Sequence, residues 1–140
     1  MILGTFLITS CMENSKKSDK AVFTQNEDST STTGWQSHYD RMEATDLPDN
    51  VIDLIGKQWM LVTAGNKSSY NTMTASWGAI GDMWSRPSTF IVVRDSRHTY
   101  QFLQREESYT LSFFTEEYRG ALRICGTKSG RDTDKVSEAG

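Results

Sequence analysis

The chain has 140 residues, a hydrophobic share of 36% and a mean hydropathy of −0.54, which suits one compact domain preceded by a polar first third. A formal charge of −3 and a pI near 5.3, with no run of Lys and Arg interleaved with aromatics, argue against a nucleic-acid partner. The two cysteines, Cys11 and Cys125, lie far apart without a Cys-x-x-Cys or Cys/His cluster, so neither a zinc site nor a disulfide framework is indicated.

The first element is the apolar stretch Ile2-Leu3-Gly4-Thr5-Phe6-Leu7-Ile8-Thr9-Ser10, too short to span a bilayer but suited to the core of a signal peptide. Ile8-Thr9-Ser10-Cys11 resembles the lipobox of bacterial lipoproteins, which implies lipidation at Cys11 and a place in the cell envelope; no Lys or Arg precedes the apolar run. Residues 12–41 are rich in Ser, Thr, Asn and charge and bury too little to order themselves, as expected of a flexible tether. The folded domain is expected over residues 42–140.

Pro48 and Asp49 open a short helix through Val51, Ile52, Leu54 and Ile55, with Gly56 as its stop. Gln58 to Ala64 reads as a strand closed by the turn formers Gly65 and Asn66. Asn71 to Trp77 (NTMTASW) is a second strand. Period two puts Thr72, Thr74 and Ser76 on one face and Asn71, Met73, Ala75 and Trp77 on the other. A loop containing Gly78, Gly81 and Pro87 leads to a strand over Thr89 to Val93.

His98 to Glu107 is helical by spacing, with Thr99, Phe102 and Leu103 on one face, and Tyr109 to Phe114 alternates as a strand. Thr115 is the expected N-cap of a helix carrying Tyr118, Ala121, Leu122 and Cys125 at i, i+3, i+4 and i+7, ended by Gly126. A last helix is expected over Asp132 to Ala139. Strands without regular βαβ alternation predict a mainly β, α+β fold, an antiparallel barrel decorated with helices.

Side-chain catalysis has no visible constellation. Gly-x-Ser-x-Gly and His-Glu-x-x-His are absent, and the only histidines are His38 and His98. Gly126 to Gly130 lacks the spaced first glycine of a phosphate loop and follows a helix, so nucleotide hydrolysis is rejected. Polar segments at strand ends remain: Thr72, Thr74 and Ser76; Arg94 to Tyr100; and Lys128 to Asp132 with Lys135. Hydroxyls, arginines and a helix N-terminus at His98 suit an anionic, aromatic ligand.

NTMTASWGAIG, a strand running into RDSRHTYQFL, then YTLSFF and TEEYRGALRICGTKSGRD with a following Asp-Lys pair, are similar in order and spacing to the flavoredoxin-like branch of the flavin reductase family, over nearly all of Gln58 to Gly140. The resemblance implies a split β-barrel that binds FMN without a covalent link, generally as a homodimer. It implies hydride transfer from NADH or NADPH to the flavin N5 and electron transfer onward. Carried over by position, Asn71, Thr72, Met73, Thr74, Ala75, Ser76 and Trp77 line the isoalloxazine and ribityl chain. Arg94, Arg97, His98, Thr99 and Tyr100 hold the phosphate end, and Ser129, Gly130, Arg131, Asp132 and Lys135 close the site.

The family pattern continues beyond the equivalent of Gly140 with strands that close the barrel, so a C-terminally partial barrel is expected. The export motif favours a rival reading, an exported flavin-binding electron carrier without NAD(P)H turnover; an inactive fragment is another alternative. A split-barrel relative holding haem or pyridoxal phosphate leaves NTMTASW unexplained.

Overall fold

The computed structural model describes residues 42–140 together with the backbone of residues 8–11; the expected tether over 12–41 lies outside the described residues. Ten elements follow in chain order: β1 (Ile8–Cys11), α1 (Val51–Asp53), β2 (Met60–Asn66), β3 (Ser69–Ala75), β4 (Gly78–Asp82), β5 (Pro87–Ile91), α2 (His98–Arg105), β6 (Ser108–Ser112), α3 (Arg119–Thr127) and α4 (Lys135–Ala139). Short 3-10 turns cover Ala44–Asp46 and Glu116–Tyr118. The strands form a sheet in the order β1-β6-β2-β3 and a separate β4-β5 hairpin, with antiparallel pairing throughout. The fold is therefore mixed α/β with antiparallel sheets.

The core follows from alternation along β2. Met60, Val62 and Ala64 point inward and are fully or almost fully buried, against Met73 and Ala75 of β3, Tyr109 and Leu111 of β6, and Phe102 and Leu103 of α2. Burial of each large apolar side chain contributes about 1.5–3 kcal/mol. α1 is capped by Asn50, whose side-chain oxygen accepts from the Ile52 and Asp53 amides, and it continues as a π-type turn over Leu54–Gln58 that buries Leu54 and Ile55. Gly56 therefore sits inside this turn and does not stop it. α3 covers the opposite face of β3, where Leu122 and Cys125 are buried.

The hairpin packs Ile80 and Ile91 against the core and is tied to the larger sheet by a buried hydrogen-bonded side chain. The Tyr109 hydroxyl of β6 donates to Thr89 O at 3.0 Å and lies 2.8 Å from Thr89 Oγ1 in β5. Both groups are buried, so Tyr109→Phe is expected to destabilise the domain by about 1–3 kcal/mol with little loss of packing volume, measured by chemical denaturation.

Several expectations shift. The segment expected as a loop from Gly78 to Gly81 forms β4, paired with β5 through Gly78↔Ile91 and Gly81↔Ser88. The loop shrinks to Trp84 and Ser85, both at positive φ (54° and 59°), bracketed by reciprocal backbone hydrogen bonds between Met83 and Arg86. That geometry is the one hairpin twist requires, usually supplied by Asn-Gly, and its absence hides the turn from inspection. β3 begins at Ser69 and ends at Ala75, leaving Trp77 outside the strand and 59% exposed. Gly65 and Asn66 belong to β2, and Asn66 turns the chain by accepting from the Ser68 and Ser69 amides.

Thr115 does not cap through its hydroxyl, which donates to Glu117 Oε1. Gly126 lies within α3, which runs to Thr127, and α4 starts at Lys135 with Asp134 as its cap. The backbone of Ile8–Cys11, expected as part of an export signal, pairs along β6 from Ile8↔Leu111 to Cys11↔Ser108.

Candidate functional site

The outer side of β3 is where α2, α3 and the segment after α3 converge. A cavity of about 130 Å³ lies at one end, walled by Asn71, Arg97, His98, Ser129, Gly130, Arg131 and Lys135, with Cys125 and Thr127 beside them. It adjoins a second hollow through Met73 and Arg97, of about 180 Å³, lined by Thr74, Ala75, Ser76, Trp77, Val92 and Arg94. At the rise of a β-chain, Asn71 to Trp77 extends about 20 Å. The result is a trough with a cationic end and an apolar end.

The cationic end is built by a latch. Asn71, almost wholly buried on β3, donates from Nδ2 to Thr99 Oγ1 at 2.7 Å, which fixes the first turn of α2 against the strand. On its other side Asn71 meets the backbone of Gly130, where an added Cβ would overlap Asn71 Oδ1 and stand 3.0 Å from its Cγ. Glycine is required here by close approach, because only a residue without a side chain brings the 129–131 segment this near. The Lys135 ammonium enters from below and donates to Thr72 O and, at 3.5 Å, to Cys125 O.

None of the ion pairs among the described residues involves Arg97, His98, Arg131 or Lys135. Arg97 donates to Gly126 O at 3.4 Å and Arg131 to Ser96 O at 3.3 Å, both carbonyl groups. The His98 Nδ1 atom is buried without a hydrogen-bond partner. A net-acidic chain thus gathers uncompensated positive charge and an orphaned polar atom around one small cavity, next to the N-terminus of an eight-residue helix. An anionic group of phosphate size suits the positive charge and the helix N-terminus together.

His98 is held below its ordinary pKa, first by burial and then by the positive charges of Arg131, Lys135 and Arg105, with Asp132 opposing them. A depressed histidine pKa makes the free protein's contribution from this group full above the ordinary value of 6.5, and lost as pH falls from there towards the lowered value. A bound anion favours the protonated ring and reverses the penalty. Sulfate, which does not titrate in this range, is therefore expected to raise the melting temperature more at about pH 5.5 than at about pH 7.5, and His98→Asn is expected to flatten that dependence. Burial likewise pushes the Cys125 thiol up, only partly opposed by Lys135, so it stays protonated at neutral pH.

The expected site residues divide by position. Asn71, Met73, Arg97, His98, Thr99, Ser129, Gly130, Arg131 and Lys135 meet at the cationic cavity, and Thr74, Ala75, Ser76, Trp77 and Arg94 line the apolar end. Two hydroxyls of the expected stripe are engaged in structure: Thr72 donates to Val62 O at 3.2 Å and Thr74 to Leu122 O at 2.6 Å. Tyr100 accepts from Gln104 at 3.1 Å and does not line the cationic cavity, and Asp132 lies on the far side of Arg131. Cys125 was legible only as a core residue of α3. Arg94 stands over the Trp77 ring at 5.7 Å, giving the apolar end a positive charge beside an exposed indole.

No group of three or more His, Cys, Asp and Glu suited to a metal occurs among the described residues, and no helix among them is long and apolar enough to cross a membrane. Antiparallel sheets flanked by helices carry a trough, cationic at one end and more apolar at the other, whose lining suits an aromatic ligand bearing an anionic group. Residues 53–140 match the model of the flavin reductase like domain, and the chain belongs to that family. Membership gives it a flavin as ligand and a flavin-related oxidoreductase function. Comparison with curated proteins and with solved structures found no match.

Proposed function

We propose that the trough binds FMN, with the phosphate in the cationic cavity and the ring system along Met73 to Trp77, and that the chain transfers hydride from NAD(P)H to the flavin and electrons onward. The observation that carries this reading is the cluster of Arg97, His98, Arg131 and Lys135 without a carboxylate partner around a phosphate-sized cavity. Bound flavin supplies the ring that accepts hydride.

The protein's own residues bind and orient. Arg97 and Arg131 offer charge-assisted hydrogen bonds to a phosphate, the His98 ring walls the cavity, and Lys135 adds charge from beneath. Met73, Ala75 and Val92 present apolar surface that excludes water from one side of a planar ring, and Ser76 offers a hydroxyl. Arg94 favours an electron-rich ring through its charge. Exposed Trp77, Phe90 and Val92 on the outward side of the β4-β5 hairpin support a homodimer in which this face is covered.

Ile8 to Cys11 supports lipidation at Cys11 and a place in the cell envelope, and with it the second reading of an exported electron carrier without nicotinamide turnover. Labelling with a fatty acid, lost in Cys11→Ser, tests the anchor. The visible spectrum of the purified chain before and after NADH or NADPH tests the rest. Flavin absorbance bleached by either supports the reductase, bound flavin that neither bleaches supports the carrier, and a chain that stays colourless after FMN addition contradicts both.

A further inference from the structure

We propose that a second small-molecule subsite, between β3 and α3, holds a planar aromatic anion such as an aromatic carboxylate. It is a hollow of about 230 Å³ that shares Thr74, Ala75 and Ser76 with the apolar end of the trough. Drug-sized ligands occupy roughly 300–1,000 Å³, so the space suits a ligand of one or two rings. The subsite needs no flavin to bind its ligand; its place beside a flavin ring rests on the reading of the trough.

One wall of the hollow is held in a strained conformation. Trp59, between the π-type turn and β2, sits at φ 69° and ψ 156°, a region that in practice only glycine adopts. Such strain persists where neighbours over-determine it, and here the neighbour is Arg119. Its guanidinium donates to the Lys57 carbonyl at 2.9 Å and the Gln58 carbonyl at 3.2 Å, on either side of the turn's last peptide bond. Both carboxylate oxygens of Glu116 hold it in place, and it lies over the Trp59 ring at 4.3 Å. The indole is thereby fixed as a half-buried wall of the hollow.

The other walls define the chemistry of the ligand. Ala75 and Leu122 are buried and apolar, and the Thr74 hydroxyl ties α3 to β3 between them by donating to Leu122 O at 2.6 Å. Arg123 is exposed and is the only charged residue of the lining. Its side chain enters no ion pair or hydrogen bond among the described residues, and the Ser76 hydroxyl is unengaged in the same sense. A ring set against the indole, with an anionic substituent on Arg123, answers both features, and no carboxylate in the lining opposes that charge.

Calorimetric titration of the full chain with 1-naphthoate, first without flavin, reads the subsite. Binding is expected, weakened about tenfold or more in Arg123→Gln, an exposed position, and in Trp59→Gly, which removes the ring and suits the backbone at φ 69°. Neutral naphthalenemethanol is expected to bind the wild-type chain about tenfold more weakly than naphthoate, a difference that disappears in Arg123→Gln. No binding of naphthoate to the wild-type chain, or binding that neither substitution weakens, overturns the proposal. Saturating FMN then separates the subsite from the trough. Naphthoate affinity within about threefold of the flavin-free value is expected. Naphthoate displaced by FMN belongs to the trough, which overturns the subsite and leaves the flavin reading intact. A chain that binds naphthoate with this pattern of variants and takes up no FMN overturns the flavin reading and keeps the subsite.

Discussion

Gly130→Ala is expected to weaken FMN binding by about 100-fold or more while leaving the secondary structure in place. The added Cβ would overlap Asn71 Oδ1 and approach the His98 ring, and the Asn71 side chain is buried and held by its hydrogen bond to Thr99, so it does not swing aside freely. Either the Asn71 amide gives up its 2.7 Å hydrogen bond to Thr99, which frees the first turn of α2, or the 129–131 segment moves away from the cavity. Each route removes at least one charge-assisted contact to the phosphate and misplaces another, at about 1.5–3 kcal/mol apiece. Because the obstacle is steric, Asn71→Ala in the same chain is expected to recover part of the affinity. Affinities of the two single variants and the double variant form a cycle that isolates this coupling.

Arg97→Glu is the second large effect. Arg97 faces both hollows, lies at the N-cap of α2 and is exposed, so reversing its charge acts on the ligand far more than on the core. The loss of one charge-assisted bond and the repulsion between carboxylate and phosphate together predict FMN affinity lowered by about 100-fold or more, with riboflavin affinity changed by less than about threefold. Flavin fluorescence titrations at low and high salt check this; the difference between the variant and the wild type should shrink as salt screens the exposed charge.

The parts of the fold set by local chemistry are legible in the residues. Asn50 beside Val51 and Ile52 marks the start of a helix, Thr99, Phe102 and Leu103 mark a buried face, and Val62 between Met60 and Ala64 marks the central strand. β4 is not legible, because Gly78 and Gly81 carry loop chemistry and the tip is Trp84-Ser85 in place of Asn-Gly. The pairing of β1 with β6 is equally hidden, since register between segments a hundred residues apart is set by tertiary packing.

At the site, motif order locates the cationic residues, yet it cannot tell which hydroxyls remain free. Thr72 and Thr74 look equivalent to Ser76 by period two, but Val62 O and Leu122 O take their protons, and only the packing of β2 and α3 on β3 decides that. Lys135 is named in the sequence as closing the site, but its surroundings are set by the fold, where it is a buried ammonium with two carbonyl partners beneath the cavity. In the sequence, alternation carries the strand through Trp77. The strand stops at Ala75, and the indole is left for a ligand or a partner.

The central claim is that the cavity bounded by Arg97, His98, Arg131 and Lys135 holds a flavin phosphate, and comparison of FMN with riboflavin on the wild-type chain tests it most directly. The two ligands differ only in that group. FMN is expected to bind at least about 100-fold tighter, in keeping with two or more charge-assisted bonds; equal affinities would contradict the assignment.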